Sequence, residues 1–329
     1  MDIILLYLPI LIYGSFLIRS WKGVLVVFAG FTPFFLWEIF SLIYYGFPFP
    51  NTAYAKLNTN AGNIVLVEQG LYYLQSSLKL DPITLLSIGI GLMIPCLTKE
   101  KKYLPMMAGT GLYLIYVVKI GGGFMSGRFL TAPLFTSVVI ISNSQLTTMS
   151  LLPGKILNLL GIRQKLPFSE AWIALVIIVL VVGLSSAYSP IYNDKDYSKV
   201  AAGKDARGIS DERGSYYETT GLLLSGGTDK TNELRSIFST KIKRLTDGKQ
   251  IPDQPVGTIG LIGFSAGPDI YIIDKYALAE PLLARLTPIS PDLREVDTRP
   301  ELAELGYRPG HLRRLIPKGL LRNIGHRRK

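Results

Sequence analysis

The chain is short of the residues from which most soluble active sites are built. It has one cysteine, Cys96, and two histidines, His311 and His326. A single thiol excludes a disulfide framework, and no His/Cys/Asp grouping has the spacing of a metal centre. No G-x-S-x-G elbow occurs; Ser265 in GFSAG has only half of that pattern, which argues against serine-hydrolase chemistry. No G-x-G-x-x-G opens a helix, so the 32 glycines do not spell a nucleotide fingerprint. Charge is scarce too: 18% of residues are charged, against roughly a quarter in soluble domains. The scarcity is local, since residues 1–187 carry 12 Lys/Arg and 6 Asp/Glu while residues 188–329 carry 23 and 18. A hydrophobic content of 48% excludes disorder. The net charge of +11 comes without a basic stripe interleaved with aromatics, so nucleic acid is not an expected partner.

What the first part does have is apolar length. Stretches 3–18, 23–45, 82–98, 103–119 and 170–188 approach the ~20 residues that a helix needs to cross a bilayer. A shorter stretch at 129–143, with several Thr and Ser, is expected as a further span packed inside a helical bundle. The expected fold is a multi-pass α-helical membrane domain over 1–188, with about six spans, followed by a soluble domain over 189–329. Arg19 and Lys22, then Lys99, Lys101 and Lys102, then Lys155, Arg163 and Lys165 fall in alternate connections. The positive-inside rule puts that set in the cytoplasm. Loop 46–81, loop 120–128 and the domain 189–329 then lie outside. The same topology puts Met1 outside with no basic n-region behind it. Either this is a natural N-out topology, or further N-terminal helices complete the bundle, in a longer reading frame or from a separate chain; the second is the expectation.

Two outer loops carry the chemical signals. In GFPFPNTAYAKL (46–57), Pro48 and Pro50 force extended backbone before them, and Asn51 or Thr52 is expected to cap the next segment. Tyr44, Tyr45, Phe47 and Phe49 read as anchors at headgroup depth. Residues 63–79 form an amphipathic pattern with Glu68 in an apolar run, expected to lie in the interface beside a lateral lipid entrance. In IGGGFMSGRFL (120–130), Gly121, Gly122 and Gly123 allow a sharp turn or close approach to a ligand. Arg128 has no acid near it in sequence. It either snorkels to the headgroups or clamps a phosphate with its planar fork, with Lys119 adding a point charge and the glycine amides completing an anion site. Glu38 sits inside the second apolar stretch, where a carboxylate faces a cavity or a partner.

In the tail, 230–246 has helical spacing, 256–267 and 269–274 read as strands, and 276–286 reads as a helix broken by Pro281, together a small α/β unit. Asp274 ends a strand, a position from which side chains reach ligand crevices.

The segments YYGFPFPNTAYAKL (44–57), GGGFMSGRFL (121–130), DERGSYYETTGL (211–222) and GLIGFSAGPDIYIIDKYALAEPLLARL (260–286) together resemble the terminal arabinofuranosyltransferases of mycobacterial-type cell envelopes, multi-pass glycosyltransferases of the GT-C type. The resemblance implies a polyprenyl-phosphate-sugar donor entering from the lipid bilayer and an envelope glycan or glycolipid acceptor. It implies a site on the outer face of a bacterial cytoplasmic membrane. It also implies that Arg128, Lys119, Gly122 and Gly123 lie near the donor phosphate, and that Tyr45, Asn51 and Lys56, with Asp274 and His311, line the acceptor rim. A divalent cation is compatible with such chemistry, although no ligand set marks one. The family carries Gly-Gly-Asp-Phe-Met where this chain reads Gly121-Gly122-Gly123-Phe124-Met125, so Gly123 stands at the acid position. The acid of the family's early outer loop has no counterpart in the sequence. Glu38 and Glu68 are the remaining candidates for a base, which must come within about 3 Å of the proton it moves. Loss of those acids keeps a second reading open, a lipid- or glycan-binding membrane protein or inactive remnant. A transporter would predict paired repeats with broken helices, which the sequence lacks.

Overall fold

The computed structural model describes residues 2–18, 20–59, 61–144, 170–186, 207–212, 260, 273–274, 276–289, 310–315 and 317. Among these the chain runs through α1 (Ile4–Ile18), α2 (Trp21–Gly30), α3 (Thr32–Tyr45), α4 (Asn51–Leu57), α5 (Asn63–Leu80), α6 (Pro82–Leu97), α7 (Leu104–Lys119), α8 (Thr131–Asn143) and α9 (Glu170–Ser185). Two short strands come after them, β1 (Pro288–Ile289) and β2 (Arg313–Arg314). The described chain is mostly helical and divides into two compact units. One takes Met1–Trp37 and Leu66–Asp194, the other Glu38–Val65 and Lys195–Lys329.

In the first unit the helix starts are written locally. Ser20 accepts the Gly23 amide at 3.1 Å to open α2. Asp81 caps α6, accepting the Thr84 amide at 3.4 Å and its hydroxyl at 2.8 Å, with Pro82 in the first turn where its missing N–H costs nothing. The principal packing is α1 against α7 and α6 against α8, with α9 laid on α6. Small residues permit these contacts: a Cβ on Gly109 would strike the Leu6 carbonyl, and one on Gly91 would sit 2.5 Å from the Ser137 side chain. Ile94, Tyr103, Ile140, Ile141 and Leu175 form the core between these helices. The Tyr103 hydroxyl donates to the Asn143 carbonyl, tying the start of α7 to the end of α8. Gly109→Leu is therefore expected to cost at least ~1–3 kcal/mol of overpacking. It should lower the thermal midpoint measured in detergent, while Gly111→Leu, whose Cβ would meet open space, leaves the midpoint unchanged.

The helices follow the apolar stretches closely, and most are short for a bilayer. Among the described residues no single helix is long and apolar enough to cross a membrane alone. Helices α1, α6, α7 and α9 have 15 or 16 residues, about 22–24 Å at 1.5 Å per residue, against a hydrocarbon core of about 30 Å. The stretch 23–45, read as one span, is two helices bent by 44° at Phe31. Gly30 and Pro33 flank the break, and Pro33 cannot donate the hydrogen bond that would carry α2 onward. Together α2 and α3 are long and apolar enough to cross, as are α5 and α6, bent by 112° at Asp81–Pro82.

In the second unit α4 packs on a small core of Ala55, Ile273, Ala277, Leu283 and Ala284. β1 and β2 pair antiparallel, Pro288 opposite Arg314 and Ile289 opposite Arg313. Residues 276–286 do not form the expected helix. Ala277 sits at φ 61° and only a single 3-10 turn, Leu283–Arg285, is helical. The cause is Asp274, whose carboxylate accepts the amides of Tyr276, Leu278 and Ala279 at 2.9, 2.7 and 3.1 Å and closes a turn where a helix would begin. The expected helix at 230–246, most of the strand at 256–267 and the first part of the strand at 269–274 lie outside the described residues.

Candidate functional site

The glycine–arginine loop of the first unit is a built feature. Helix α7 ends as the chain turns back on itself: the Gly121 amide reaches the Val118 carbonyl at 3.1 Å and the Gly122 amide reaches Val117 at 2.9 Å. Gly121 and Gly122 stand at φ 80° and 64°, backbone that a side chain rarely adopts. One face of α5 supports the turn, with Gln69, Gly70, Tyr73 and Ser77 buried at helical spacing. A Cβ on Gly70 would strike the Val118 backbone, and one on Gly122 would come 2.5 Å from the Tyr73 ring.

Tyr73 is the post around which the loop is wound. It is fully buried. Its hydroxyl donates to the Met125 carbonyl at 3.1 Å and accepts the Phe129 amide at 3.2 Å, and its ring meets Phe129 edge-on at 6.2 Å. These two bonds bracket Arg128. Gly127, at φ 73°, then turns the chain into a 3-10 turn over Arg128–Leu130 that leads into α8. Arg128 is exposed, its Nη1 lying 3.3 Å from the Met125 sulfur, and no carboxylate pairs with it among the described residues. Lys119, at the other end of the loop, is exposed as well. The loop thus holds two cations at the ends of a rigid turn, with a neutral tyrosine as scaffold. At Gly123, the position of the family acid, an added Cβ would lie 2.8 Å from the Phe129 ring; an aromatic side chain fills the place an aspartate would need.

Sequence reasoning does not single out Tyr73. Its only signal is a place on the apolar face of the 63–79 pattern, which any packed tyrosine shares. Removing the hydroxyl alone tests its role. Tyr73→Phe leaves the Phe129 amide and the Met125 carbonyl without partners, at ~1–3 kcal/mol each. Hydrogen exchange at Phe129 is expected to quicken by about tenfold or more, with α7 unchanged.

The two candidate carboxylates lie on different helices in different units. Glu68 is exposed on α5, off the face that Gln69, Gly70 and Tyr73 bury. Glu38 is half-buried on α3, in the stretch assigned to the second unit, and its Oε1 is buried with no hydrogen-bond partner among the described residues.

The second unit brings Asn51, Lys56, Asp274 and His311 into one small body. Asn51 is the first residue of α4 rather than its cap, which is Pro50. The Asn51 side-chain oxygen accepts Arg285 Nη1 at 3.3 Å. Lys56 covers Gly310, whose φ of 75° turns the chain toward β2. His311 meets the Tyr276 ring edge-on at 5.6 Å. Asp274 spends both oxygens on the turn at 274–279, so its carboxylate shapes the backbone there. Tyr45 is exposed at the end of α3, packed against Tyr44 and Phe40. Among the described residues no group of three or more His, Cys, Asp or Glu could hold a metal ion.

No family profile matches the sequence, and no solved structure matches it. The chain is similar to the terminal beta-(1->2)-arabinofuranosyltransferase of Mycobacterium tuberculosis, with 26% identity over an alignment of 336 residues that takes in 81% of this chain. The alignment covers 50% of that relative, so the chain spans about half the length of the curated protein it matches. The resemblance read from the four sequence segments and this similarity point to the same kind of protein, a glycosyltransferase.

Proposed function

We propose that the chain acts in glycosyl transfer at the outer face of the bacterial cytoplasmic membrane, moving a sugar from a polyprenyl-phosphate donor to an envelope glycan or glycolipid. Arabinofuranose is the sugar that the similarity to the mycobacterial enzyme favours. The observation that carries the reading is the glycine–arginine loop, a turn fixed from inside by Tyr73 that holds Arg128 outward, with no carboxylate paired to it among the described residues.

In this reaction the acceptor hydroxyl oxygen attacks the anomeric carbon. The bond from that carbon to the phosphate oxygen breaks, and its electron pair leaves with the lipid phosphate. The hydroxyl proton passes to a carboxylate. Charge therefore grows on the phosphate, where a preorganised guanidinium stabilises it most. Arg128 takes that role and Lys119 assists as a point charge.

Membrane residence is supported by the apolar surface. Phe16, Trp21 and Ile43 are 74%, 75% and 80% exposed on α1, α2 and α3, and soluble proteins do not leave long helices apolar on their open faces. The second reading, lipid or glycan binding without turnover, is favoured by the exposed placement of Glu68 and by the aromatic side chain at the Gly123 position. One assay separates the two. The chain in lipid nanodiscs is given synthetic polyprenyl-phosphoryl arabinofuranose with a labelled sugar and an arabinofuranose oligosaccharide. Transfer releases one polyprenyl phosphate per labelled product; binding without turnover retains intact donor.

A further inference from the structure

Helix α4 has seven residues, and helices below about 12 residues do not persist on their own propensity. Its cap residue, Pro50, offers no side-chain acceptor. Its stability must come from tertiary contacts, the small core around Ala55 and two arginines from the far end of the sequence.

Arg314 holds the C-terminal end. It is buried, and it spends its donors on backbone carbonyls: Nε to Leu286 at 3.1 Å, Nη1 to Leu312 at 2.6 Å, and Nη2 to Ala55 at 2.8 Å and to Asn58 at 3.0 Å. Ala55 and Asn58 carry carbonyls left open at a helix end, where a cation also meets the negative end of the helix dipole. The Asn58 side chain donates to the same Leu286 carbonyl at 3.0 Å. Burial pushes the guanidinium pKa down, yet an arginine stays charged there. Arg285 holds the N-terminal end. Its guanidinium carbon lies 3.5 Å from the Phe47 ring centroid and 4.1 Å from that of Tyr54, while Nη1 bonds Asn51 and the Pro281 carbonyl. Phe47 precedes the helix, and Asn51 and Tyr54 belong to it, so the two guanidinium groups grip α4 from both ends.

We propose that Arg314 and Arg285 are positioning residues: they hold α4, and through it Asn51 and Lys56, in the geometry that binds the acceptor. The acceptor part rests on the glycosyl-transfer reading; the ordering of α4 does not. Lysine cannot replace either arginine, since one ammonium reaches neither the four carbonyls around Arg314 nor the two rings around Arg285 in a flat stack.

The test uses the full chain in nanodiscs, with Arg314→Lys and Arg285→Lys. Hydrogen exchange is followed on the peptide covering 51–58, whose Asn58 amide is bonded to the Tyr54 carbonyl at 3.0 Å. Exchange there should quicken by about tenfold in each variant, while α7 keeps its wild-type protection. Transfer from the synthetic donor should show an acceptor KM raised about fivefold or more with kcat near wild type, the pattern of lost uniform binding. If α7 also loses protection in Arg314→Lys, that variant has failed to fold and Arg285→Lys decides. Unchanged exchange at 51–58 overturns the positioning role. Faster exchange with an unchanged acceptor KM overturns the acceptor role of α4 and leaves the donor loop untouched. Absence of transfer by the wild type removes the glycosyl-transfer reading and the acceptor role with it, and exchange alone then decides whether the arginines order the helix.

Discussion

Replacing Arg128 with alanine is expected to lower kcat/KM for a polyprenyl-phosphoryl sugar by about a hundredfold. A hydrogen bond to a charged group is worth roughly 1.5–3 kcal/mol, or about 10- to 150-fold. The effect should fall chiefly on kcat, because the phosphate charge that Arg128 meets is larger in the transition state than in the bound donor. Arg128→Lys keeps the charge but loses the two-pronged contact, and should recover part of the loss. Folding should be unaffected, since Arg128 is exposed and its side-chain contact with the Met125 sulfur is a weak one. Equal steady-state constants for Arg128→Ala and wild type, at limiting and at saturating donor, would remove the arginine from the reaction.

The second large effect is expected at Gly122. A valine there meets two obstacles: φ is 64°, and its Cβ would stand 2.5 Å from the buried Tyr73 ring. Left-handed backbone costs an L-residue about 1–2 kcal/mol and the overpacking another ~1–3 kcal/mol. Either the loop unwinds from Tyr73 or the tyrosine leaves its site, and Arg128 moves in both cases. Gly122→Val should lower donor turnover by more than about a hundredfold and depress the thermal midpoint. Gly127→Ala is the informative contrast. It shares the positive φ, 73°, but its Cβ would meet open space, so only the backbone cost of about 1–2 kcal/mol applies. Midpoints that fall equally in both variants would mean that the Tyr73 contact contributes nothing to holding the loop.

The sequence is most legible where a pattern has one physical cause. Six apolar stretches, the 63–79 amphipathic segment and the glycine turn all rest on period, length or a residue that only glycine can replace, and each has its counterpart in α1 to α3 and α5 to α9 or in the loop after α7. Where two causes compete, the pattern misleads. The run 23–45 is apolar throughout, yet Gly30 and Pro33 break it. The run 276–286 has helical composition, yet one carboxylate, Asp274, claims the amides that a helix would use. The candidate site divides in the same way. Arg128 and Lys119 stand out because charge is rare beside apolar sequence. Tyr73, Arg285 and Arg314 do not, because their roles depend on partners 52 to 259 residues away, which no local pattern encodes. Asp274 stands out as an acid at a strand end, and the same position makes it a backbone clasp.

The proposed chemistry stands or falls with the loop between Lys119 and Leu130 receiving a lipid-borne phosphate. Photolabelling in nanodiscs examines this at the loop itself, using a polyprenyl phosphate that carries a diazirine beside its phosphate, with peptide mapping of the product. Label is expected on the peptide holding residues 119–130, competed by unlabelled polyprenyl phosphate and sharply reduced in Arg128→Ala. Label confined to other segments, or label on this peptide that Arg128→Ala leaves undiminished, would contradict a phosphate site in the loop.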